Sequence, residues 1–197
     1  PNSLEYEHDF LWRHYKDLPE RGRIGIHNRS HYENVLVCKV HPEYVMNENI
    51  PGYDDVKKID KEFWANRYES IRNFEKHLVE NGTTIIKFFL HVSKDEQKQR
   101  FLDRIDDQTK NWKFSAGDLK ERERWDDYMQ YYEDAINNTN QDHAPWYVIP
   151  ADDKGVARYI VAQTIWEKLE SLTDITEPEL DPKVKANIDV YREQLKA

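Results

Sequence analysis

An α/β fold with a mainly parallel sheet is the architecture that this sequence of 197 residues predicts. Three short apolar runs, at residues 22–27, 83–92 and 146–149, predict buried strands. The run at 83–92 is nearly continuous, which is typical of a parallel strand covered on both faces. Helical patterns lie between these runs, and ligands in such folds bind where the strands end.

Helices are predicted where apolar side chains recur at helical spacing, over residues 4–18, 30–40, 61–80, 94–106, 115–138 and 152–172. Asp60 and Ser115 each precede a helix and can accept a hydrogen bond from one of its free amides. Ser93 and Glu96 have the spacing of a capping box, in which each side chain binds the backbone amide of the other. Gly82 is expected to stop the 61–80 helix.

We expect one α/β domain over residues 1–172 and an acidic tail over residues 173–197 that ends in a short helix. A polar connector joins the two helices after the 83–92 strand, so residues 94–138 could close over a ligand as a helical lid. The chain begins with Pro1 and has no initiator methionine, which predicts that it is part of a longer protein.

Net charge and composition narrow the possible functions. The net charge of −9 argues against a nucleic-acid-binding protein, since positive charge supplies most of the binding energy there. A nucleotide or polyphosphate ligand stays possible, because it needs only a local cluster of cations. The single cysteine, Cys38, excludes a disulfide framework within one chain. No apolar run approaches membrane-spanning length and no signal peptide opens the sequence, so we expect a cytoplasmic protein.

Asn28 and Arg29 directly follow the first predicted strand, where an anionic ligand would bind. A guanidinium at this position can hold phosphate oxygens with two parallel hydrogen bonds. Asn28 could orient a phosphate oxygen or a water molecule bound to magnesium. The alternative is structural: Arg29 pairs with a carboxylate, and Asn28 caps the helix that follows.

The predicted lid is rich in cations that alternate with acidic residues. These cations are Lys98, Arg100, Arg104, Lys110, Lys113, Lys120, Arg122 and Arg124. A helical pair of mixed charge is commonly a solvated surface, in which Arg122 would pair with Asp126 four residues on. Trp112 argues for more, because an indole in a polar connector needs either core or ligand to cover it.

A phosphate-binding loop of the pattern G-x-x-x-x-G-K-[ST] is absent from the sequence. None of the six glycines is followed by lysine; they stand at positions 22, 25, 52, 82, 117 and 155. The histidines are scattered without a His-Glu-x-x-His pair, which gives a zinc hydrolase little support. No metal site is assigned to particular residues.

Several segments carry a resemblance to a known family. Residues 25–33, Gly-Ile-His-Asn-Arg-Ser-His-Tyr-Glu, resemble the Walker-B region of family-2 polyphosphate kinases, in the branch that has Asn-Arg-Ser-His-Tyr-Glu. The lid resembles the same family over residues 100–107, 110–115 and 121–128. Residues 144–152 complete the series in the same order along the chain.

The resemblance implies a P-loop-kinase-like three-layer α/β/α fold with a helical lid. It also implies Mg²⁺-dependent transfer of phosphate between inorganic polyphosphate and a nucleotide, either AMP and ADP or GMP and GDP. With the residue patterns, it gives catalytic roles to Arg29, Arg104 and Arg122. Substrate binding is assigned to Asn28, Glu33, Arg100, Lys110, Trp112 and Lys113. The phosphate-binding loop would lie upstream of Pro1, so the chain alone is expected to be inactive, and we expect a homo-oligomer.

Two other interpretations stay open. A nucleotide kinase that uses ATP as donor would share the fold and the lid, and only an assay of the donor distinguishes it. A partial or degenerate protein could instead hold polyphosphate or nucleotide without turnover. If Arg122 is a lid cation, its loss should lower turnover and leave the melting temperature nearly unchanged.

Overall fold

The computed structural model describes residues 1–173 and 175–196 as two compact units that divide after Arg158. The helices of the first unit are α1 Ser3–Tyr6, α2 Trp12–Tyr15, α3 Val37–Val40, α4 Lys61–Glu80, α5 Lys94–Asp106, α6 Ala116–Glu123 and α7 Trp125–Thr139. Short 3₁₀ helices cover His31–Val35, Pro42–Glu48, Val56–Lys58 and Asn111–Lys113. Helix α8, Lys154–Glu170, spans the division, and α9, Pro182–Ala186, and α10, Ile188–Lys196, follow.

Two strands, β1 Lys87–His91 and β2 Trp146–Pro150, form a parallel sheet in which Lys87 lies opposite Trp146. β1 falls within the apolar run at 83–92, and β2 covers the run at 146–149 and one residue more. β1 is shorter than the run at 83–92 because it pairs with β2 over five residues only. The α/β prediction is therefore confirmed in a coarser form: the described chain is mostly helical with a small parallel sheet.

The prediction of a buried strand over residues 22–27 is wrong. Ile24 is 76% exposed and Ile26 is 90% exposed. Residues 24–29 make no hydrogen bond with any other described residue. An apolar run indicates which residues avoid water, but a strand also needs a neighbour whose backbone groups pair with its own.

Asp9 explains why residues 4–18 form α1 and α2 instead of the single predicted helix. Its Oδ1 accepts a hydrogen bond from the backbone N–H of Leu11 at 2.9 Å, and its carbonyl accepts from that of Trp12 at 3.1 Å. A short polar side chain that binds the backbone two residues on competes with the helical hydrogen bond. The first helix therefore ends and a second begins.

The predicted helix over residues 30–40 is also divided, into the 3₁₀ helix His31–Val35 and α3. Tyr32 and Val35, three residues apart, are both buried. In a 3₁₀ helix the side chains at i and i+3 lie on the same side, so this geometry buries both against the core.

Arg124 separates α6 from α7, where the sequence predicts one helix over residues 115–138. Its backbone leaves the helical region, at φ −94° and ψ 23°, and its Nη1 donates to the carbonyl of Val40 at 2.7 Å. This contact joins residues that are far apart in the sequence, so no local pattern could predict the break.

The predicted capping side chains are confirmed, with one correction. Asp60 and Ser115 accept hydrogen bonds from amides in the first turns of α4 and α6. Ser93 Oγ accepts from the N–H of Glu96 at 3.1 Å. The reciprocal bond of the capping box is replaced, because the Ser93 N–H donates to Asp152 Oδ1 at 2.7 Å. The start of α5 is thereby joined to the loop after β2.

The core of the first unit forms where the 3₁₀ helix His31–Val35, α4 and α7 meet. Its buried residues are Tyr32, Val35, Leu36, Tyr68, Ile71 and Ala135. The inner face of α4 also carries two buried charged residues, Arg67 and Glu75, which the predicted apolar stripe of that helix does not include. A buried charge is stable only with a partner, and the partners of Glu75 are Tyr32 and Lys87.

Candidate active site

Arg29 presents an exposed guanidinium from a backbone in the left-handed region, with φ of 72°. A non-glycine residue with this φ is uncommon and depends on the structure around it. Among the described residues, neither Arg29 nor Asn28 has a hydrogen-bond or ion-pair partner. The structural alternatives for both are therefore wrong: no described carboxylate pairs with Arg29, and Ser30 caps the following 3₁₀ helix in place of Asn28.

Glu33 lies on the same 3₁₀ helix and is half-buried. Burial raises the pKa of its carboxyl, against the opposing charge of Arg29. Burial also raises the pKa of the Tyr132 hydroxyl on α7, and the charge of Glu33 adds to that rise while Arg29 opposes it. Arg29, Glu33 and Tyr132 thus share one neighbourhood, in which an exposed cation lies beside a partly desolvated carboxylate.

We call residues 24–29 the Arg29 loop. Shortly after this loop, Tyr32 is anchored to a buried ion pair. Its hydroxyl donates to Glu75 Oε1 at 2.8 Å and accepts from Lys87 Nζ at 3.0 Å. Lys87 Nζ also donates to Glu75 Oε2 at 2.6 Å and to the carbonyl of Thr139 at 2.9 Å. All three ammonium donors are therefore used. We call Tyr32, Glu75 and Lys87 the buried triad.

Charges within the buried triad shift one another's pKa values. Burial alone would raise the pKa of the Glu75 carboxyl, but hydrogen bonds, led by the one from His31, and the charge of Lys87 hold it below its ordinary value. Burial lowers the pKa of the Lys87 ammonium, with Glu75 opposing. Burial and the charge of Glu75 raise the pKa of the Tyr32 hydroxyl, which stays protonated and donates.

His31 adds a further hydrogen bond to this arrangement. Its Nε2 lies 3.3 Å from Glu75 Oε1, and because a carboxylate only accepts, Nε2 carries the proton. The buried triad was not predicted from the sequence, although Lys87 is a signal for it: a lysine inside an apolar strand must find a buried partner.

Glu121 fastens α6 to the body of the first unit. Its carboxylate accepts from His41 Nε2 at 3.0 Å and from the hydroxyl of Tyr128 at 2.6 Å. The hydrogen bond from Tyr128 lowers the pKa of this carboxyl, and His41 adds to the effect against a smaller contribution from burial. Part of the predicted lid is thus docked against residues near α3.

Arg100, a predicted substrate-binding residue, uses its guanidinium inside the protein. Its Nε donates to Glu96 Oε1 at 2.7 Å, and its Nη2 donates to the carbonyls of Ala151 at 2.6 Å and Asp152 at 3.1 Å. These contacts hold α5 against the loop after β2. The prediction that Arg100 binds substrate stays a prediction.

Arg122 also has partners within the described chain. Its Nη1 donates to the carbonyl of Lys94 and to Gln97 Oε1, both at 2.7 Å. The expected pair with Asp126 is wrong, because the helix ends between the two residues at the Arg124 break. Arg122 instead ties α6 to the first turn of α5, and its catalytic role stays a prediction.

These contacts change what the loss of Arg122 should do to stability. We expect Arg122→Ala to lower the melting temperature by roughly 3–6 °C, since two charge-assisted hydrogen bonds between helices are lost. Thermal unfolding followed by circular dichroism measures this effect. Lys120→Ala, which removes an exposed cation from the same helix, should leave the melting temperature within about 1 °C of wild type. Equal stability of Arg122→Ala and Lys120→Ala would contradict the proposed link between α5 and α6.

Trp112 lies on the connector between α5 and α6 and is 78% exposed. Its Nε1 donates to the carbonyl of Thr109 at 3.1 Å, and Lys113 Nζ lies 5.1 Å from the centroid of its ring. The described core therefore does not cover this indole. Of the two explanations that the sequence offers for Trp112, a ligand is the one that the geometry favours.

Lys110 and Arg104 flank the same connector. Lys110 pairs with Asp107 at 2.5 Å, and its hydrogen bond to that carboxyl, with those from Thr109, lowers the Asp107 pKa to about 2. The guanidinium carbon of Arg104 lies 5.5 Å from the ring centroid of Phe101. Arg104 has no ion-pair partner among the described residues, so its charge stays available to a ligand.

The predicted site residues form two separate groups: one is around Arg29, and the other lies on the connector and on α5 and α6, which flank it. Within residues 1–173 and 175–196, no hydrogen bond or ion pair joins the two groups. An open groove of about 430 Å³ between α7 and the sheet is lined by other residues, including Phe89, Tyr132 and Val148. No helix in the described part of the chain is long and apolar enough to cross a membrane.

Comparison with known proteins decides the family. The sequence profile described as Polyphosphate kinase 2 matches residues 1–177. The chain belongs to the polyphosphate kinase 2 family. Within it, an ADP-polyphosphate phosphotransferase of Rhodopseudomonas palustris is 53% identical over 195 residues, which are 99% of this chain and 66% of that relative. An AMP/ADP-polyphosphate phosphotransferase of Meiothermus ruber is 44% identical over 172 residues, 87% of this chain and 59% of that relative.

Solved structures of the family agree with the fold. The crystal structure of Polyphosphate Kinase 2 from Arthrobacter aurescens superposes with a TM-score of 0.83 at 40% identity, over 97% of this chain and 62% of that one. A polyphosphate kinase 2 structure from Pseudomonas aeruginosa gives 0.77 at 29% identity. The chain thus spans about three-fifths to two-thirds of the two curated relatives and of the Arthrobacter structure, and 35% of the Pseudomonas structure. The predicted resemblance to this family is confirmed.

Proposed function

We propose that the full-length protein transfers phosphoryl groups between inorganic polyphosphate and a nucleoside mono- or diphosphate. Family membership over residues 1–177 carries this proposal, together with relatives named as ADP- and AMP/ADP-polyphosphate phosphotransferases. Those names favour AMP and ADP over GMP and GDP as the nucleotides. A homo-oligomeric assembly and a cytoplasmic location stay predictions.

Arg29 suits a catalytic role in this reaction. Phosphoryl transfer depends on positioning and on neutralising charge more than on covalent help from the protein. The Arg29 guanidinium is exposed and has no hydrogen-bond partner among the described residues, so it can bind two phosphate oxygens without breaking a contact. Glu33, in the same neighbourhood, is proposed to face the nucleotide, and Asn28 a phosphate oxygen.

The connector between α5 and α6 is proposed to contact the phosphate chain. Lys110, Lys113 and Arg104 supply positive charge there, and the exposed indole of Trp112 can cover the ligand. Exclusion of water would protect the phosphoanhydride from hydrolysis. Arg122 would have to exchange its present partners on α5 for phosphate oxygens to act directly.

Mg²⁺ is proposed to arrive with the substrates. Among the described residues, no three carboxylate, histidine or cysteine side chains lie together as a metal site. Mg²⁺ is commonly held by one or two carboxylates and by the phosphates of the substrate. When bound, the ion would neutralise charge on the phosphate oxygens, and the protein's own part would be to hold those phosphates with Arg29 and the connector cations.

We further propose that a part of the full-length protein outside this sequence supplies the phosphate-binding loop. The sequence contains no G-x-x-x-x-G-K-[ST] pattern, and it spans 66% and 59% of two relatives. The exposed side chains of Ile24 and Ile26 support the proposal, because an additional strand would cover them and pair with their backbone. The isolated chain is therefore expected to lack turnover.

A donor assay tests the proposed function. Purified full-length protein is incubated with Mg²⁺ and AMP or ADP, with either polyphosphate or ATP as the donor. We expect nucleotide phosphorylation that requires polyphosphate. Phosphorylation that requires ATP and ignores polyphosphate would establish the nucleotide-kinase alternative, and binding without turnover would establish the non-catalytic one. Turnover by a mass-verified chain of 197 residues would overturn the proposed external loop.

A further inference from the structure

We propose that the buried triad positions Arg29 for phosphoryl transfer. Tyr32, Glu75 and Lys87 would then be positioning residues for the reaction and not only part of the core. The inference rests on the proposed function, and it concerns groups that the proposed chemistry does not otherwise use. The inference follows from the hydrogen bonds on either side of the Arg29 loop.

The Arg29 loop lies between two anchors: upstream, Arg21 Nη1 donates to the carbonyl of Asn81 at 3.1 Å, and downstream lies the turn that contains Tyr32. Residues 24–29 make no hydrogen bond with other described residues. The first bonded residue after them is Ser30, whose Oγ accepts from the N–H of Tyr32 at 3.4 Å. His31 and Tyr32 then both bind Glu75. The anchor nearer to Arg29 in the sequence is therefore the turn that the buried triad holds, three residues away, whereas Arg21 is eight residues away.

The buried triad connects that turn to the sheet and to α7. Lys87 is the first residue of β1, and its ammonium binds the carbonyl of Thr139 at the end of α7. Trp146 of β2 extends the connection, since its Nε1 donates to Thr139 Oγ1 at 2.9 Å and its ring lies 4.7 Å from that of Tyr32. The Tyr32 hydroxyl, three residues after Arg29, thus joins its own 3₁₀ helix to α4 and β1, and Lys87 and Trp146 extend the connection to α7 and β2.

Stability alone does not explain why the side chains of the buried triad are polar or charged. A buried ion pair contributes little more to stability than apolar side chains of the same volume, because both charges lose their water. Hydrogen bonds that are all satisfied instead select one arrangement of the groups they join. A single arrangement is what a loop needs if its guanidinium must meet a phosphate to within a fraction of an ångström.

Tyr32→Phe in the full-length protein tests the inference, because it removes one hydroxyl and keeps the ring. We expect kcat to fall about tenfold as Arg29 loses its fixed position. Tyr68→Phe is the matched control: it is another buried tyrosine on the same core, and its hydroxyl accepts from Lys39 Nζ at 3.2 Å. The control should lower the melting temperature about as much and leave kcat unchanged. Equal losses of kcat in the two variants would assign Tyr32 to the core alone.

A double-mutant cycle with Arg29 separates positioning from general damage. If Tyr32 acts through Arg29, adding Tyr32→Phe to Arg29→Ala should lower kcat by less than about twofold further. An unchanged tenfold loss in that background would overturn the inference. Wild-type protein without polyphosphate-dependent turnover would instead refute the proposed function.

Binding of tripolyphosphate gives a measurement that does not need turnover. By calorimetry, Tyr32→Phe should weaken tripolyphosphate binding severalfold in the wild-type background and not in the Arg29→Ala background. Equal weakening in both backgrounds would overturn the inference. Arg29 would then be independent of the buried triad.

Discussion

Replacing Arg29 with alanine in the full-length protein is expected to lower kcat about a hundredfold while the melting temperature stays unchanged. The guanidinium is exposed, and residues 24–29 make no hydrogen bond with other described residues, so its loss removes no internal contact. What it removes is a cation that can meet the transferring phosphoryl group. Steady-state kinetics with polyphosphate and ADP, beside thermal unfolding, measure the two effects.

The left-handed backbone of Arg29 provides a sharp control for this prediction. Glycine adopts φ of 72° without strain, so Arg29→Gly removes the side chain and relaxes the backbone, whereas Arg29→Ala only removes the side chain. Equal loss of kcat in both variants would assign the effect to the guanidinium. Arg29→Lys should recover only part of it, because an ammonium lacks the planar fork. Arg192→Ala, an exposed arginine on α10, should have no effect, and near-normal turnover of Arg29→Ala would refute the catalytic role.

Lys87→Met should lower the free energy of unfolding by about 3–5 kcal/mol, the largest stability effect that we expect. The side chains of Lys87 and Glu75 are 7% and 1% exposed, so removal of the lysine leaves a carboxylate buried without its counter-charge. The carbonyl of Thr139 loses a donor as well. Urea denaturation of the full-length protein measures the change.

Two variants make that stability prediction specific to the buried pair. Adding Glu75→Leu to Lys87→Met removes both charges, and we expect the double variant to recover more than half of the loss. Lys76→Met breaks an exposed pair with Glu80 on the same helix and should change the free energy of unfolding by less than about 0.5 kcal/mol. A loss below about 1 kcal/mol in Lys87→Met would show that the pair is not buried in solution.

The parts of the fold that depend on local chemistry could be predicted from the sequence. Helix α4 begins after Asp60 and ends before Gly82 as predicted, because a capping carboxylate and a residue with positive φ act within one turn of the chain. The two strands could be predicted because continuous apolar runs bounded by polar residues avoid water. The predicted strand at residues 22–27 is wrong because a strand also needs a neighbouring strand to pair with, and an apolar run does not show whether one is present.

Half of the candidate site could also be found from sequence. Arg29 and Trp112 stand out because a cation after a predicted strand and an indole in a polar connector need a ligand to explain them. Glu75 and Lys87 did not stand out, because a single charged residue in a helix or a strand is common. Their ion pair depends on how β1 packs beside α4, which the sequence does not show. Glu75 lies four residues after Ile71, on the buried face of the helix. A charge on that face, together with an opposite charge in an apolar strand, indicates a buried ion pair.

The contacts at the start of α5 determine which part of the predicted lid can move without breaking hydrogen bonds. Ser93 and Arg100 bind Asp152 and its neighbour, so α5 and the loop after β2 behave as one piece. Helix α7 is fixed at its other end, where Ala135 is buried in the core. The exposed connector that carries Trp112 lies between these two anchors. If the predicted lid closes over a ligand, we therefore expect a hinge-like shift of this short segment that disturbs neither the sheet nor the core.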